Sequence, residues 1–157
     1  EMAKDRELHD LLELLNSTIA ILKPEAESKR QTINLTIESE LKKIIISPFL
    51  FNEAFKNILV NAIDYAPEKS EIKVVVTANE NYYIISLNNR GPLIPELERS
   101  RIFTKFYRSE EARKIKPEGS GLGLFIAKTS IEANGGKIWC QSTGESGTTF
   151  YFTVPKR

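Results

Sequence analysis

The strands of this chain arrive in adjacent pairs, and that order constrains the fold more than any other feature. Hydrophobic periodicity predicts a helix first, on Leu8, Leu11, Leu12, Leu15, Ile19 and Leu22 at spacings of three and four. Pro24 loosens that pattern. Strands are predicted over 32–37 and 42–46, and a second helix over 48–66, with Pro48 in its first turn and Pro67 closing it. Two more strands follow at 71–78 and 82–88, joined by the turn-like Asn79-Glu80-Asn81. After a charged segment from about 99 to 118, a third helix ends at Asn134-Gly135-Gly136, and strands at 137–142 and 148–154 complete the chain. Paired strands between helices imply a mixed sheet with helices on one face, an α/β (α+β) two-layer sandwich. The strict alternation of a doubly wound fold is absent.

Composition narrows the function classes. The 157 residues suit one domain, and 41% hydrophobic with 27% charged residues is the balance of a soluble chain with a packed core. Twenty-two Lys plus Arg against 21 Asp plus Glu leave no broad footprint for nucleic acid. One Cys excludes an intrachain disulfide, and one His excludes a Cys/His metal cluster. No apolar stretch reaches the ~20 residues of a membrane span, and no signal peptide opens the chain. These features fit a cytoplasmic domain without direct membrane contact. The start, Glu1-Met2-Ala3-Lys4, reads as a cut from a longer protein.

Two segments carry chemistry. On the second helix, Phe51, Ala54, Phe55, Ile58, Leu59 and Ala62 share one apolar face. Glu53, Asn57, Asn61 and Asp64 fall within roughly 80° of one another on the other side. Such a stripe is either a solvated face or a ligand face. The two Asn residues sacrifice helix propensity there, and an Asn oxygen is a neutral hard ligand suited to Mg²⁺. The second segment is Gly119-Ser120-Gly121-Leu122-Gly123-Leu124, running into the third helix. Glycines let successive N–H groups turn toward an anion, and a helix N-terminus adds its dipole. A plain turn before a helix accounts for the same residues. No strand precedes the glycines, so the dinucleotide fingerprint is excluded. The P-loop Lys and the Ser/Thr/Tyr-kinase motifs are also absent.

Together the segments resemble the catalytic ATP-binding domain of bacterial sensor histidine kinases, in the gyrase, chaperone, histidine-kinase and mismatch-repair (GHKL) ATPase superfamily. The likeness covers about residues 10–157. Asn57-Ile58-Leu59-Val60-Asn61-Ala62 is similar to the N box, and Asn89-Arg90-Gly91-Pro92-Leu93-Ile94-Pro95 to the first glycine box. Ile102-Phe103-Thr104-Lys105-Phe106-Tyr107-Arg108 resembles the F box. Residues 119–124 match the second glycine box, and Gly147-Thr148-Thr149-Phe150 the last turn.

The resemblance implies a Bergerat-type ATP-binding fold with a mobile lid over about 103–118. It implies that Asn61 holds Mg²⁺ on the ATP phosphates with Asn57 beside it. Asn57, Lys105 and Arg108 would lie nearest the chemistry, the two cations touching phosphates unless they are simply solvated. Nucleotide contacts would also come from Asn89, Gly91, Gly119, Gly121, Leu122, Gly123 and Leu124. Tyr65 either lines the nucleotide site or is an ordinary helix-end aromatic, and Thr148 either supports adenine or serves only its strand. Phe103 and Phe106 would anchor the lid by packing.

Three positions depart from the family pattern: Asn89 replaces the Asp that accepts from the adenine amine, Leu93 the second glycine of its box, and Asp64 a frequent Lys or Arg. Leu93 is expected to reshape the pocket. His9 lacks the continuation of the family's acceptor motif and is read as an ordinary helix residue. Residues 1–9 would be the remnant of an upstream dimerisation helix or linker. The implied partners are that upstream dimerisation and phosphoacceptor domain and, through the full-length kinase, a response regulator. The alternatives are a Ser/Thr kinase of the anti-sigma-factor type and a degenerate nucleotide-binding module.

Overall fold

The computed structural model describes residues 5–157; the opening Glu1–Lys4 lies outside them. Strands β2 (Thr32–Ile37), β4 (Glu71–Ala78), β5 (Tyr82–Asn89), β6 (Ile138–Thr143) and β7 (Gly147–Pro155) form one sheet in the order β2-β4-β5-β7-β6. The β2–β4 pair is parallel and the other pairs are antiparallel, so the sheet is mixed as expected. Alternate residues of the central strands are buried: Ile72, Val74 and Val76, then Tyr83, Ile85 and Leu87, then Phe150, Phe152 and Val154. Period-two burial of this kind marks a sheet covered on one face. Helices α1 (Leu11–Ser28), α2 (Pro48–Tyr65) and α4 (Gly123–Ala133) supply the cover. The opposite face carries Trp139 stacked on Tyr151, 5.3 Å apart and nearly parallel.

Helix α2 lies at the centre of the core because its expected apolar face is all buried, joined by Leu50 and Ile63. Phe51 and Phe55 meet Phe152 of the sheet at centroid distances of 5.8 and 6.3 Å. Ser47 caps the helix by accepting from Leu50 N–H, and Pro48 starts it. The same Ser47 exchanges two bonds with the Asn134 carboxamide at the end of α4, at 3.2 and 3.3 Å. Start of α2 and end of α4 are thereby fixed together. At its other end α2 carries no basic residue in its last turn. Lys29 and Gln31 supply the missing donors, Lys29 Nζ reaching the carbonyls of Ile63, Asp64 and Ala66 at 2.7 to 3.2 Å.

The beginning of the chain corrects the helix expectation. Glu7–His9 is a strand, β1, paired antiparallel with β3 (Ile44–Ile46) apart from the main sheet. Leu8 sits opposite Ile45, so it is neither helical nor buried, and His9 is a strand residue beside Glu7. Asp10 accepts from Leu12 N–H, which places the helix start at Leu11. Leu12 is partly exposed, whereas Leu14 and Thr18 turn inward. Pro24 costs α1 one internal hydrogen bond without ending it. The charged segment also carries secondary structure. It contains the 3₁₀ turn Arg101–Phe103 and the short helix α3 (Glu110–Ile115), capped by Ser109, and a further 3₁₀ turn, Glu96–Glu98, precedes it.

Candidate functional site

A cleft of about 420 Å³ opens between α2, the N-terminus of α4, the turn after β5 and the segment containing α3. Asn57, Asn61, Asp64 and Tyr65 reach it from α2. Glu53, on the same stripe, does not; it pairs with Lys56 at 3.1 Å. Asn57 is held in one orientation because its Nδ2 donates to the Glu53 carbonyl at 2.7 Å. Its Oδ1 points across the cleft toward Gly123, where a Cβ would stand 3.3 Å from it. Asn61 lies one turn further on, its carboxamide without a side-chain partner among the described residues.

Opposite these carboxamides stands the first turn of α4. Leu122 precedes it with no side-chain capping bond, and Ile126 N–H is the amide that reaches back to Leu122. The earlier amides of the helix are therefore open to an anion in the cleft. Gly119, Ser120, Gly121, Leu122, Gly123 and Leu124 all line the space. Gly121 has φ +73°, and a Cβ there would lie 2.8 Å from the Phe106 backbone, whose amide donates to Gly121 O. Only glycine fits that contact.

Asn89 and Thr148 form the floor, both buried. Asn89 Oδ1 accepts from Gly91 N–H at 2.8 Å, leaving its Nδ2 as the group available to the cleft. Reversing the amide would set two donors against each other. A Cβ on Gly91 would come within 2.6 Å of that oxygen, so a side chain there would displace the Asn89 carboxamide. Thr148 Oγ1 donates to Pro92 O and lies 2.7 Å from Ser142 Oγ, which accepts from Ile94 N–H. Thr148 thus holds the turn above it, and its proton is committed there.

The segment expected as a lid is divided in its attachments. Phe103 is buried edge-on against Phe150 at 6.1 Å and anchors it as expected. Phe106 does not. It is exposed, with φ +67°, its backbone rather than its ring forming the contact with Gly121. Lys105 is not brought to the cleft either; its ammonium rests over the rings of Phe106 and Phe125, at 5.3 and 5.8 Å. Arg108 does line the cleft, but its guanidinium donates to the carbonyls of Ala112, Lys116 and Pro117 and to Tyr65 Oη. Leu93 is exposed and outside the lining, so Pro92 and Ile94 shape that wall instead.

Sequence reasoning missed Lys116, which enters the cleft and donates to Asp64 Oδ2 at 2.7 Å. That hydrogen bond raises the Lys116 ammonium above the usual lysine value, against a smaller opposing effect of burial. The signal was available in Asp64 itself, since an acid facing a phosphate site calls for a neighbouring cation. Tyr107 was missed as well; it lines the cleft and donates to Glu98, which raises its hydroxyl above the ordinary tyrosine value.

Residues 47–157 match the family model described as histidine kinase-, DNA gyrase B-, and HSP90-like ATPase. The chain belongs to this ATPase family. Its curated relatives include the probable sensor kinase SilS of Salmonella typhimurium, 39% identical over 109 residues, which are 69% of this chain and 22% of the relative. Sensor histidine kinase WalK of Bacillus subtilis is 39% identical over 105 residues, 66% of this chain and 17% of the relative. The chain thus spans about a fifth of the length of these relatives. Among solved structures, the catalytic domain of histidine kinase ThkA superposes with a TM-score of 0.84 at 27% identity, covering 96% of this chain and 95% of that one. The mycobacterial sensor histidine kinase MprB, at 23% identity, has the same fold, with a TM-score of 0.83 over 97% of this chain and 98% of that one.

Membership of this ATPase family implies ATP binding, and the donors lining the cleft would suit a metal that arrives with a nucleotide. Among the described residues no group of three His, Cys, Asp or Glu side chains could hold an ion. The carboxamide oxygens of Asn57 and Asn61 are what the cleft offers, because Asp64 is taken by Lys116. Such a set fits Mg²⁺ that keeps waters and phosphate oxygens as its other ligands.

Proposed function

We propose that this chain binds Mg-ATP in the cleft and presents its γ-phosphoryl group to a histidine on a dimerisation and phosphoacceptor domain of the same longer protein. The observation that carries the reading is the uncapped first turn of α4 facing two carboxamides of α2, with Gly123 against Asn57. Backbone amides of Gly121, Gly123 and Leu124 receive the phosphates, the Leu122 amide being bonded to Ser120 Oγ, and Asn61 is the residue that would hold the metal. Mg²⁺, when bound, neutralises phosphate charge as the bond to the leaving oxygen lengthens. Asn89, Gly91 and Thr148 would hold the base, with Tyr65 and Ile94 also lining the cleft. Residues 103–118 act as the lid, Arg108 ordering it from within and Lys116 reaching the phosphates. Lys105, set over Phe106 and Phe125, stands outside the cleft as a surface cation of this segment.

Asp64, the carboxylate among the described residues that line the cleft, is bonded to Lys116 rather than set to take a proton from water. Asn57 occupies the place nearest the phosphates, and a carboxamide is no general base near neutral pH. Glu53 is turned away toward Lys56. Positioning and charge neutralisation therefore constitute the whole chemical contribution, and an external imidazole attacks the γ-phosphorus in line. The nearby solved complex of ThkA with the response regulator TrrA, at 25% identity, supports a response regulator as the next partner of the full-length protein. Residues preceding about 10 lead toward the phosphoacceptor domain, and the domain works in the cytoplasm.

The test is incubation of the purified chain with γ-labelled ATP and its separately produced acceptor-helix domain. Label should pass to the acceptor histidine and nowhere else, while ATP hydrolysis by the chain alone stays very slow. Label on serine would favour the anti-sigma-factor type of kinase. Tight ATP binding with no transfer would favour a nucleotide-binding module.

A further inference from the structure

Two cations line the cleft, and they are bound in different ways. Arg108 is tied to three lid carbonyls and Tyr65 Oη, so its donors close off the end of α3. Lys116 makes one side-chain contact, the 2.7 Å bond to Asp64, across 52 positions of sequence. Asp64 and Tyr65 are adjacent at the end of α2. The lid is thus fastened to α2 at two neighbouring points, one by a committed guanidinium and one by a single ion pair. No residue of α3 is buried, so apolar packing adds little to the fastening. Both partners of the pair remain partly open to solvent, at 36% and 24% of their side-chain surface.

We infer that the Lys116–Asp64 pair is an exchangeable latch, holding the lid on α2 when the cleft is empty and releasing Lys116 to the phosphates when nucleotide enters. The second half of this inference rests on the ATP reading above. An ammonium on a flexible stem can change partners without rebuilding its surroundings, which a forked guanidinium cannot. A polyphosphate offers it several anionic oxygens against the two of one carboxylate. Asp64 then has two effects. It keeps the empty lid in place, and it competes with the phosphates for the same cation. After the exchange its carboxylate stands near a like-charged ligand, so the acid at this position lowers affinity.

Two measurements on Asp64→Asn, Lys116→Met and the double variant test the latch. The first is tryptic cleavage after Arg113 or Lys114 without nucleotide. Lys116 precedes Pro117, so its replacement does not change the cleavable sites. All three variants should be cut several-fold faster than the wild type and at one common rate, because each removes the same pair. The second is titration with a non-hydrolysable ATP analogue and Mg²⁺. Asp64→Asn should bind about two- to fivefold more tightly, the scale of an exposed charge pair. Lys116→Met should bind about tenfold more weakly, the scale of one charge-assisted hydrogen bond.

Unchanged cleavage in all variants would overturn the latch. Weaker ATP binding in Asp64→Asn would overturn the exchange, because the acid would then be helping to build the site. Absence of ATP binding by the wild type would refute the nucleotide reading and with it the exchange, while the digestion would still decide the latch. Near-ultraviolet and thermal profiles matching the wild type would establish that each variant is folded.

Discussion

One wall of the cleft is α2 with α4, and the other is the lid; they differ in what holds them. The helical wall is set by buried contacts: Phe51 and Phe55 against Phe152, and Ser47 exchanging bonds with Asn134. Its backbone therefore keeps its place whether or not a ligand is present, and the Glu53 carbonyl holds the Asn57 carboxamide as well. Beyond Phe103 the lid has no such foundation. It is held by the Phe106 amide on Gly121, by Arg108 on its own carbonyls and by Lys116 on Asp64. Polar contacts at a partly solvated edge are individually weak and exchangeable, which suits a segment that must open and close. On the proposed reading the first wall sets the metal and phosphate positions, and the second sets access.

Truncation should expose this contrast most strongly. Phe55→Ala removes a fully buried ring from the helical wall and should cost about 3–5 kcal/mol in urea unfolding. Ile115→Ala, at an exposed position on α3, should stay within about 0.5 kcal/mol. Similar losses from both would mean that the lid is part of the core.

Alkaline pH gives a second distinction. Burial raises the Cys140 thiol from 9.0 to about 11. The folded state then holds this proton more firmly than the unfolded chain. Its contribution is fully present below pH 9.0 and lost as pH rises to about 11. Comparing wild type with Cys140→Ala should reveal a pH-dependent difference of up to about 2–3 kcal/mol over that window. Lid cleavage should be the same in both, since Cys140 lies on β6. A difference independent of pH would remove the thiol from the account.

The smallest effect concerns the floor. With Oδ1 held by Gly91 N–H, Asn89 presents a donor where an Asp would present a second acceptor. Preference for ATP over GTP should therefore be modest in the wild type. Asn89→Asp should sharpen it by about 1–2 kcal/mol, the value of one buried hydrogen bond. Competition of both nucleotides against a fluorescent ATP analogue measures the ratio; an unchanged ratio would mean that residue 89 does not read the base.

The elements most legible in the sequence were those bounded by prolines or turn residues and filled with one clear period. Helix α2 starts at Pro48 and ends beside Pro67, and β4 alternates between Ser70 and Asn79. Strand β1 was not legible. Three residues are too few to show alternation, Leu8 has the spacing of the following helix, and the partner strand lies far along the chain. Helix α3 lacked an apolar stripe because Arg108 and the Ser109 cap stabilise it in place of burial. In the site, Asn57 and Asn61 stood out as poor helix formers, and the glycines as positions needing open backbone. Lys116 did not, since one lysine in a charged run resembles the others until the fold sets it against Asp64. Lys105 was misplaced for the converse reason: its two aromatic neighbours meet only once Phe106 and Phe125 are brought together.

The account's central claim is that α2 and the start of α4 form a ready site for Mg-ATP in which Asn61 holds the metal. Calorimetric titration of wild type and Asn61→Ala with a non-hydrolysable ATP analogue, with Mg²⁺ and then with chelator, tests it most directly. The wild type should bind with Mg²⁺ and lose about tenfold or more of its affinity with chelator, the scale of a charge-assisted contact. Asn61→Ala should bind weakly under both conditions, with an unchanged melting profile. Equal affinity of the two proteins at matched Mg²⁺ would contradict the claim and take Asn61 out of the site.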